Sequence, residues 1–167
     1  VVLNANGTFT YTPTGDYSGT DSFVVDITDG TLTTTKTINI DVEPVNDAPV
    51  AGSYNLSTDE DTAKMGTLTA SDVEGDTKTW VEVTGPTNGT LTLNTSTGAY
   101  TYTPNANYHG PDSFVYRVND DQGGVSQDYT VNLTVNSVND IPIISGVDVG
   151  TVQEDVTFAA SGSLTIT

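Results

Sequence analysis

The sequence predicts an all-β protein built as β-sandwich units in tandem. Three observations carry this. First, Val45-Asn46-Asp47-Ala48-Pro49-Val50 returns as Val138-Asn139-Asp140-Ile141-Pro142-Ile143, a spacing of 93 residues (138 − 45). Self-similarity at a fixed period marks an array of like units. Second, short alternating stretches of Thr, Val, Tyr and Ile fill the chain, and helical periodicity is nearly absent. Third, clusters of Gly, Asn, Asp and Pro break these stretches at roughly 10- to 15-residue intervals.

The lead-in repeats too. Thr10-Tyr11-Thr12-Pro13, Tyr17 to Gly19 and Asp21-Ser22-Phe23-Val24 come back as Thr101-Tyr102-Thr103-Pro104, Tyr108 to Gly110 and Asp112-Ser113-Phe114-Val115. A third copy starts after Pro142, where Glu154-Asp155 matches Glu60-Asp61 and Gly162 to Thr165 matches Gly66 to Thr69. The expected organisation is therefore the C-terminal part of one repeat over 1–47, a complete repeat over 48–140, and the N-terminal part of the next over 141–167. The chain reads as a slice of a longer array.

In the complete unit, alternation places seven strands in order. The first covers 53–58, carried by Tyr54 and Leu56; the second covers 66–71, carried by Leu68 and Ala70. The third covers 78–83 and the fourth 90–94, with Leu91 and Leu93 on one face. The fifth covers 98–103 (Tyr100, Tyr102) and the sixth 113–119 (Phe114, Tyr116, Val118). The seventh covers 127–136 (Tyr129, Val131, Leu133, Val135). Strict alternation gives each strand one buried and one wet face. Seven such strands in a unit of this length point to an immunoglobulin-like Greek-key sandwich. The third strand has two readings, because Val81 and Val83 share one face and Lys78, Trp80 and Glu82 the other. Either Trp80 is exposed and stacks on a sugar ring, or a local bulge turns it into the core.

Composition narrows function. Four Lys and Arg stand against 22 Asp and Glu, a formal charge of −18. Such a chain has nothing to replace the counterions on phosphates, so nucleic acid is excluded as a partner. An anionic membrane would repel it, and no apolar run approaches the ~20 residues of a membrane helix. Cysteine is absent, which removes disulfides and thiol chemistry. The single His109 has neither a Cys nor a Ser-Asp pattern beside it, against a zinc site or a catalytic triad. Paired carboxylates sit in polar loops with no sign of an apolar cleft, so the chain does not read as an enzyme.

The acids are placed unevenly. In an up-and-down run of seven strands, loops alternate between two poles. Asp72, Glu74 and Asp76 (second to third strand) and Asp120 and Asp121 (sixth to seventh) gather at the upper pole, beside the linker with Asn46 and Asp47. Asp59, Glu60, Asp61 and Asp112 gather at the lower pole, beside the linker with Asn139 and Asp140. Clustered like charges cost energy unless a cation neutralises them. Calcium takes six to eight oxygen ligands, and an Asp-x-Glu-x-Asp run places alternate carboxylates around one point.

At these residues the chain resembles a cadherin repeat. Glu60 matches the family's early Glu, and Asp72 and Glu74 after Ala70 match its Asp-x-Asp. Asp120 or Asp121 before Gly123-Gly124 matches its Asp-x-Gly, and Asn46-Asp47 and Asn139-Asp140 match its linker. The Tyr-Thr-Pro and Val-Asn-Asp-x-Pro signatures are closest to the cadherin-like tandem repeats of giant bacterial surface adhesins, the biofilm-associated, RTX-type secreted proteins. There are departures: Pro44 and Ser137 stand where the linker's first Asp belongs, and Ala48 and Ile141 where its last Asn belongs. The family's Leu-Asp-Arg-Glu motif is missing, with Asp21 and Asp112 as loose substitutes.

The resemblance implies calcium as cofactor and an extracellular, cell-surface location. It implies neighbouring repeats as partners, with a polysaccharide or another cell-surface protein as adhesive target. The expected metal ligands are Asn46, Asp47, Asp72, Glu74, Asp120 and Asp121 at the first joint, and Glu60, Asp112, Asn139 and Asp140 at the second. The leading reading is an extender module of a secreted adhesin, stiffened by calcium. The alternative is a carbohydrate-binding module using Trp80 or exposed tyrosines. Recurrence of Tyr11 as Tyr102 and of Tyr17 as Tyr108 points instead to structural tyrosines.

Overall fold

Strands dominate, and no helix interrupts them among the described residues. The computed structural model describes residues 1–141, 144–146 and 164–166. In the first copy, β1 (Val2–Leu3) pairs antiparallel with β2 (Phe9–Thr10), and β3 (Gly19–Thr28) with β4 (Thr33–Val42). The next unit holds β5 (Tyr54–Asp59), β6 (Lys64–Thr67), β7 (Thr79–Thr84) and β8 (Gly89–Leu93), then β9 (Ala99–Pro104), β10 (Gly110–Asn119) and β11 (Tyr129–Asn136). Beyond it, β12 (Ile144–Gly146) pairs antiparallel with β13 (Leu164–Ile166). Glu154 and Asp155 of the third copy lie outside the described residues.

The unit is a two-layer sandwich. One sheet has the order β5-β11-β10-β7 and the other β6-β9-β8. Neighbours run antiparallel except β5 and β11, which lie parallel over six registered pairs from Tyr54–Val131 to Asp59–Asn136. Inward residues alternate along each strand, as a half-buried sheet requires. Tyr102, Phe114, Tyr116, Val118 and Val131 are fully buried, with Leu68, Trp80, Tyr100, Leu133 and Val135 around them. Each large apolar side chain taken from water contributes about 1.5–3 kcal/mol.

Several tyrosines anchor their hydroxyl on a backbone carbonyl. The Tyr116 hydroxyl donates to the Gly52 carbonyl at 2.7 Å, and burial pushes its pKa up to about 12. Tyr108 donates to the Pro111 carbonyl at 2.6 Å, and Tyr17 makes the same bond to Thr20 at 2.6 Å in the first copy. Recurrent tyrosines thus pin the approach to β10 and β3.

Two strand readings change. The second strand pairs only over Lys64–Thr67, not through 71. Leu68 stays buried, but its N–H goes to Gly98 (2.9 Å), and Ser71 exchanges two 2.8 Å bonds with Val50. The chain leaves the β9 ladder here to meet the segment that leads into β5. Trp80, meanwhile, is only 7% exposed, so it offers no surface for a sugar. Pairing with β10 fixes this: Trp80 faces Val118 and Glu82 faces Tyr116, both inward positions, while Val81 faces Arg117 outside. The register shift falls beyond Trp80, between its Tyr116–Glu82 and Val115–Thr84 pairs. No bulge is needed to bury the indole; the alternation simply has the opposite phase to that set by the two valines. Gly98, at φ +71°, lies against the indole, and a Cβ there would strike both Trp80 and the Leu68 carbonyl.

Candidate metal centre at the repeat joint

Three segments distant in sequence meet at the upper pole. The β6–β7 connection supplies Asp72, Glu74 and Asp76, the β10–β11 connection supplies Asp120 and Asp121, and the β4–β5 linker supplies Asn46 and Asp47. The first loop closes on itself: the Asp76 N–H donates to Asp72 Oδ1 at 2.9 Å. Gly75 at φ +83° makes the tight reversal there, a conformation that glycine adopts without steric cost. One carboxylate oxygen from each of Asp72, Glu74 and Asp76 lies within 4.8 Å of the others.

The second loop is organised by Asp120. Its Oδ1 accepts the Gln122 N–H at 2.9 Å and the Gly124 N–H at 2.6 Å, and its Oδ2 accepts Asn46 Nδ2 at 3.1 Å. A Cβ on Gly124 would strike Asp120 Oδ2 and Asn46 Nδ2, so this position suits a residue without one. The linker makes a second contact, from the Asp47 N–H to Glu74 Oε2 at 3.2 Å. Asn46 and Asp47 thereby tie the preceding copy to both acidic loops.

Electrostatics separates these acids. Burial pushes Asp76 above the ordinary carboxylate range, and the fields of Asp121, Asp72, Asp120 and Glu74 push it further. Burial also raises Asp120, but the Asn46 side chain and the Gly124 and Gln122 N–H groups outweigh it and hold the carboxyl below that range. Asp72 Oδ2 and Asp76 Oδ2 are shielded from solvent without a hydrogen-bond partner. An unpartnered buried carboxylate oxygen is costly, and a cation removes that cost. An all-oxygen donor set with no thiolate or imidazole suits a hard divalent ion. Asp76 joins Asp72 and Glu74 in this cluster; its signal was the Asp-x-Glu-x-Asp alternation itself.

The lower pole is less convergent. Glu60 is 5% exposed; its Oε1 accepts the Val138 N–H of the next linker at 2.6 Å, and its Oε2 lies 3.8 Å from His109 Nδ1. Asp112 is engaged elsewhere. It accepts the Thr87 and Asn88 N–H groups at 3.0 Å each, the Ser113 N–H at 2.9 Å and the Tyr102 hydroxyl at 2.9 Å. No described contact joins it to Glu60, Asn139 or Asp140. The side chain of Asn139 reaches only the Asp140 carbonyl, at 3.4 Å. Asp21, the first-copy counterpart of Asp112, binds the Tyr11 hydroxyl at 2.7 Å. Among the described residues, the upper cluster alone brings three acidic groups within reach of one ion.

A bacterial cadherin-like domain model matches residues 46–137, more than half of the chain, and a cadherin-like domain model matches residues 1–43. The chain belongs to the bacterial cadherin-like domain family. Solved protocadherin structures agree on the fold. Extracellular cadherin domains 1–5 of protocadherin gamma B2 are 17% identical with a TM-score of 0.56, over 99% of this chain and 36% of that one. Domains 3–6 of the same protein give 16% and 0.51, over 74% and 34%. An endo-fucoidan hydrolase of glycoside hydrolase family 107 gives 25% and 0.47, over 76% of this chain and 20% of that one. The chain thus spans about a third or less of each. No curated protein matches. Family model and protocadherin structures agree on a cadherin-like β-sandwich. No helix among the described residues is long and apolar enough to cross a membrane.

Proposed function

We propose that this chain is an extender segment of a secreted, cell-surface adhesin, with calcium stiffening the joints between its repeats. The repeats are 1–47, 48–140 and 141–167. The observation that carries the reading is the convergence at the first joint. Linker residues Asn46 and Asp47 contact two acidic loops, and in the first of these the shielded Asp72 Oδ2 and Asp76 Oδ2 have no hydrogen-bond partner.

In this reading Asp72, Glu74, Asp76 and Asp120 hold the ion, with Asp47 and the Asn46 side-chain carbonyl completing the shell after the amide turns. Asp121 adds negative field. At the second joint Glu60, Asn139 and Asp140 play the corresponding part, and Asp112 supports the fold. The ion draws the linker onto the following unit, which removes a hinge. The module does no chemistry of its own; it spaces an adhesive tip from the cell, in adhesion or biofilm formation. Its contacts along the array are the neighbouring repeats, and the tip's target is a polysaccharide or another surface protein.

Calorimetric titration of the 167-residue chain with calcium tests this. Extracellular modules bind at roughly 10⁻⁴–10⁻³ M. Asp72→Ala should weaken binding by at least an order of magnitude while leaving far-ultraviolet dichroism unchanged. Titrations with no heat that Asp72→Ala removes would defeat the reading.

A further inference from the structure

We propose that the parallel β5–β11 pair is a mechanical clamp that carries tension between the two linkers, and that it does so without the joint cation. The chain enters β5 from the upper linker and leaves β11 into the lower one. A pull on the linkers drags β5 toward its first residue and β11 toward its last. Because the strands are parallel, they must slide past each other along their length. All six registered pairs then bear the load together. A load that grasps both strands at the same pole would instead open the pairs one at a time.

Side chains add to the ladder at this seam. Asn132 Nδ2 donates to Asn55 Oδ1 at 2.9 Å, and Asn136 Nδ2 to Asp59 Oδ1 at 3.0 Å. The Thr130 N–H donates to Ser53 Oγ at 3.2 Å. Both ends are pinned: Tyr116 holds the Gly52 carbonyl at 2.7 Å, and the Glu60 N–H meets the Asn136 carbonyl at 2.9 Å. Beneath the seam Val131, Leu133 and Val135 are buried. Water therefore reaches the ladder from one face only, and cannot readily take over bonds as they stretch. None of these contacts involves the acidic loops of the upper pole, so the clamp goes beyond the calcium reading and stands apart from it.

The lack of cysteine lets introduced thiols define the pulling points. Single-molecule stretching of the full chain in chelator would use two attachments. Val45→Cys with Ser137→Cys loads the seam in shear. Val45→Cys with Gln127→Cys grasps both strands at their upper ends and peels them. Unfolding of the unit is recognised by its length gain: 92 residues (137 − 45) lie between the shear attachments and 82 (127 − 45) between the peeling ones, at roughly 3.3–3.6 Å each. The rupture force should be several-fold higher in shear than in peeling. Asn132→Ala should lower the shear force, leave the peeling force unchanged and shift the melting temperature little. Equal forces in the two geometries, or a high shear force that appears only with calcium, would overturn the clamp. Calcium heats in the calorimeter report separately on the joint.

Discussion

Asp112→Ala separates a structural carboxylate from a metal ligand. The substitution removes the acceptor for the Tyr102 hydroxyl and for the Thr87 and Asn88 N–H groups, which tie the β7–β8 turn to β10. Tyr102 is fully buried, so water cannot replace its partner. A stranded buried hydroxyl costs about 1–3 kcal/mol, and hydrogen bonds to a charged acceptor are worth ~1.5–3 kcal/mol each before water re-solvates the turn. About 3 kcal/mol in all is expected. For a domain of this size that lowers the melting temperature by roughly 10–20 °C. Tyr102→Phe, which leaves Asp112 three donors, should cost about 1 kcal/mol. In the double variant the second change should add almost nothing, a coupling of about 1 kcal/mol. The assay is thermal melting by circular dichroism, with chelator and with millimolar calcium. Equal losses in both conditions fit a fold-supporting residue. A loss confined to calcium would refute the reasoning and return Asp112 to the ligand shell.

Asp76→Asn should raise the melting temperature in chelator at neutral pH and abolish the rise that calcium gives. The folded Asp76 carboxyl is held above its unfolded value, so its ionised form costs stability at all pH above that window, and the amide removes the cost. Asp120 has the opposite sign: its folded value is depressed, so its contribution is present above the unfolded carboxylate range and fades as pH falls through the folded value. Asp120→Asn should therefore lower the melting temperature at neutral pH and flatten its acid limb. Trp80, the chain's only tryptophan, should emit to the blue, resist acrylamide quenching and ignore added polysaccharide; Trp80→Ala should cost about 3–5 kcal/mol. Calcium should lengthen the maximum dimension in small-angle scattering, and an unchanged dimension would argue against stiffening.

Much of the sandwich was legible because period-two alternation is local. Phe114, Tyr116 and Val118, and Tyr129 to Val135, announce their inward face within their own strands. Trp80 did not, because its strand carries apolar residues on both faces and only pairing with Val118 and Tyr116 decides between them. The second strand was drawn too long for a related reason: Leu68 has the alternation of a strand, yet its own N–H bonds to Gly98, and Ser71 beyond it bonds to Val50. The upper acidic loops were legible through loop parity, which needs only strand count. The hydrogen bonds that Asp112 accepts were not, because Thr87 and Asn88 lie in a turn 25 and 24 residues away.

The unit takes the chain in at one end and releases it at the other, and this gives the array a simple growth law. The long axis follows strands such as the ten-residue β10, which at ~3.3 Å per residue spans about 33 Å. In the proposed extender, each added repeat would lengthen the array by a similar fixed step. Reach is then a matter of copy number.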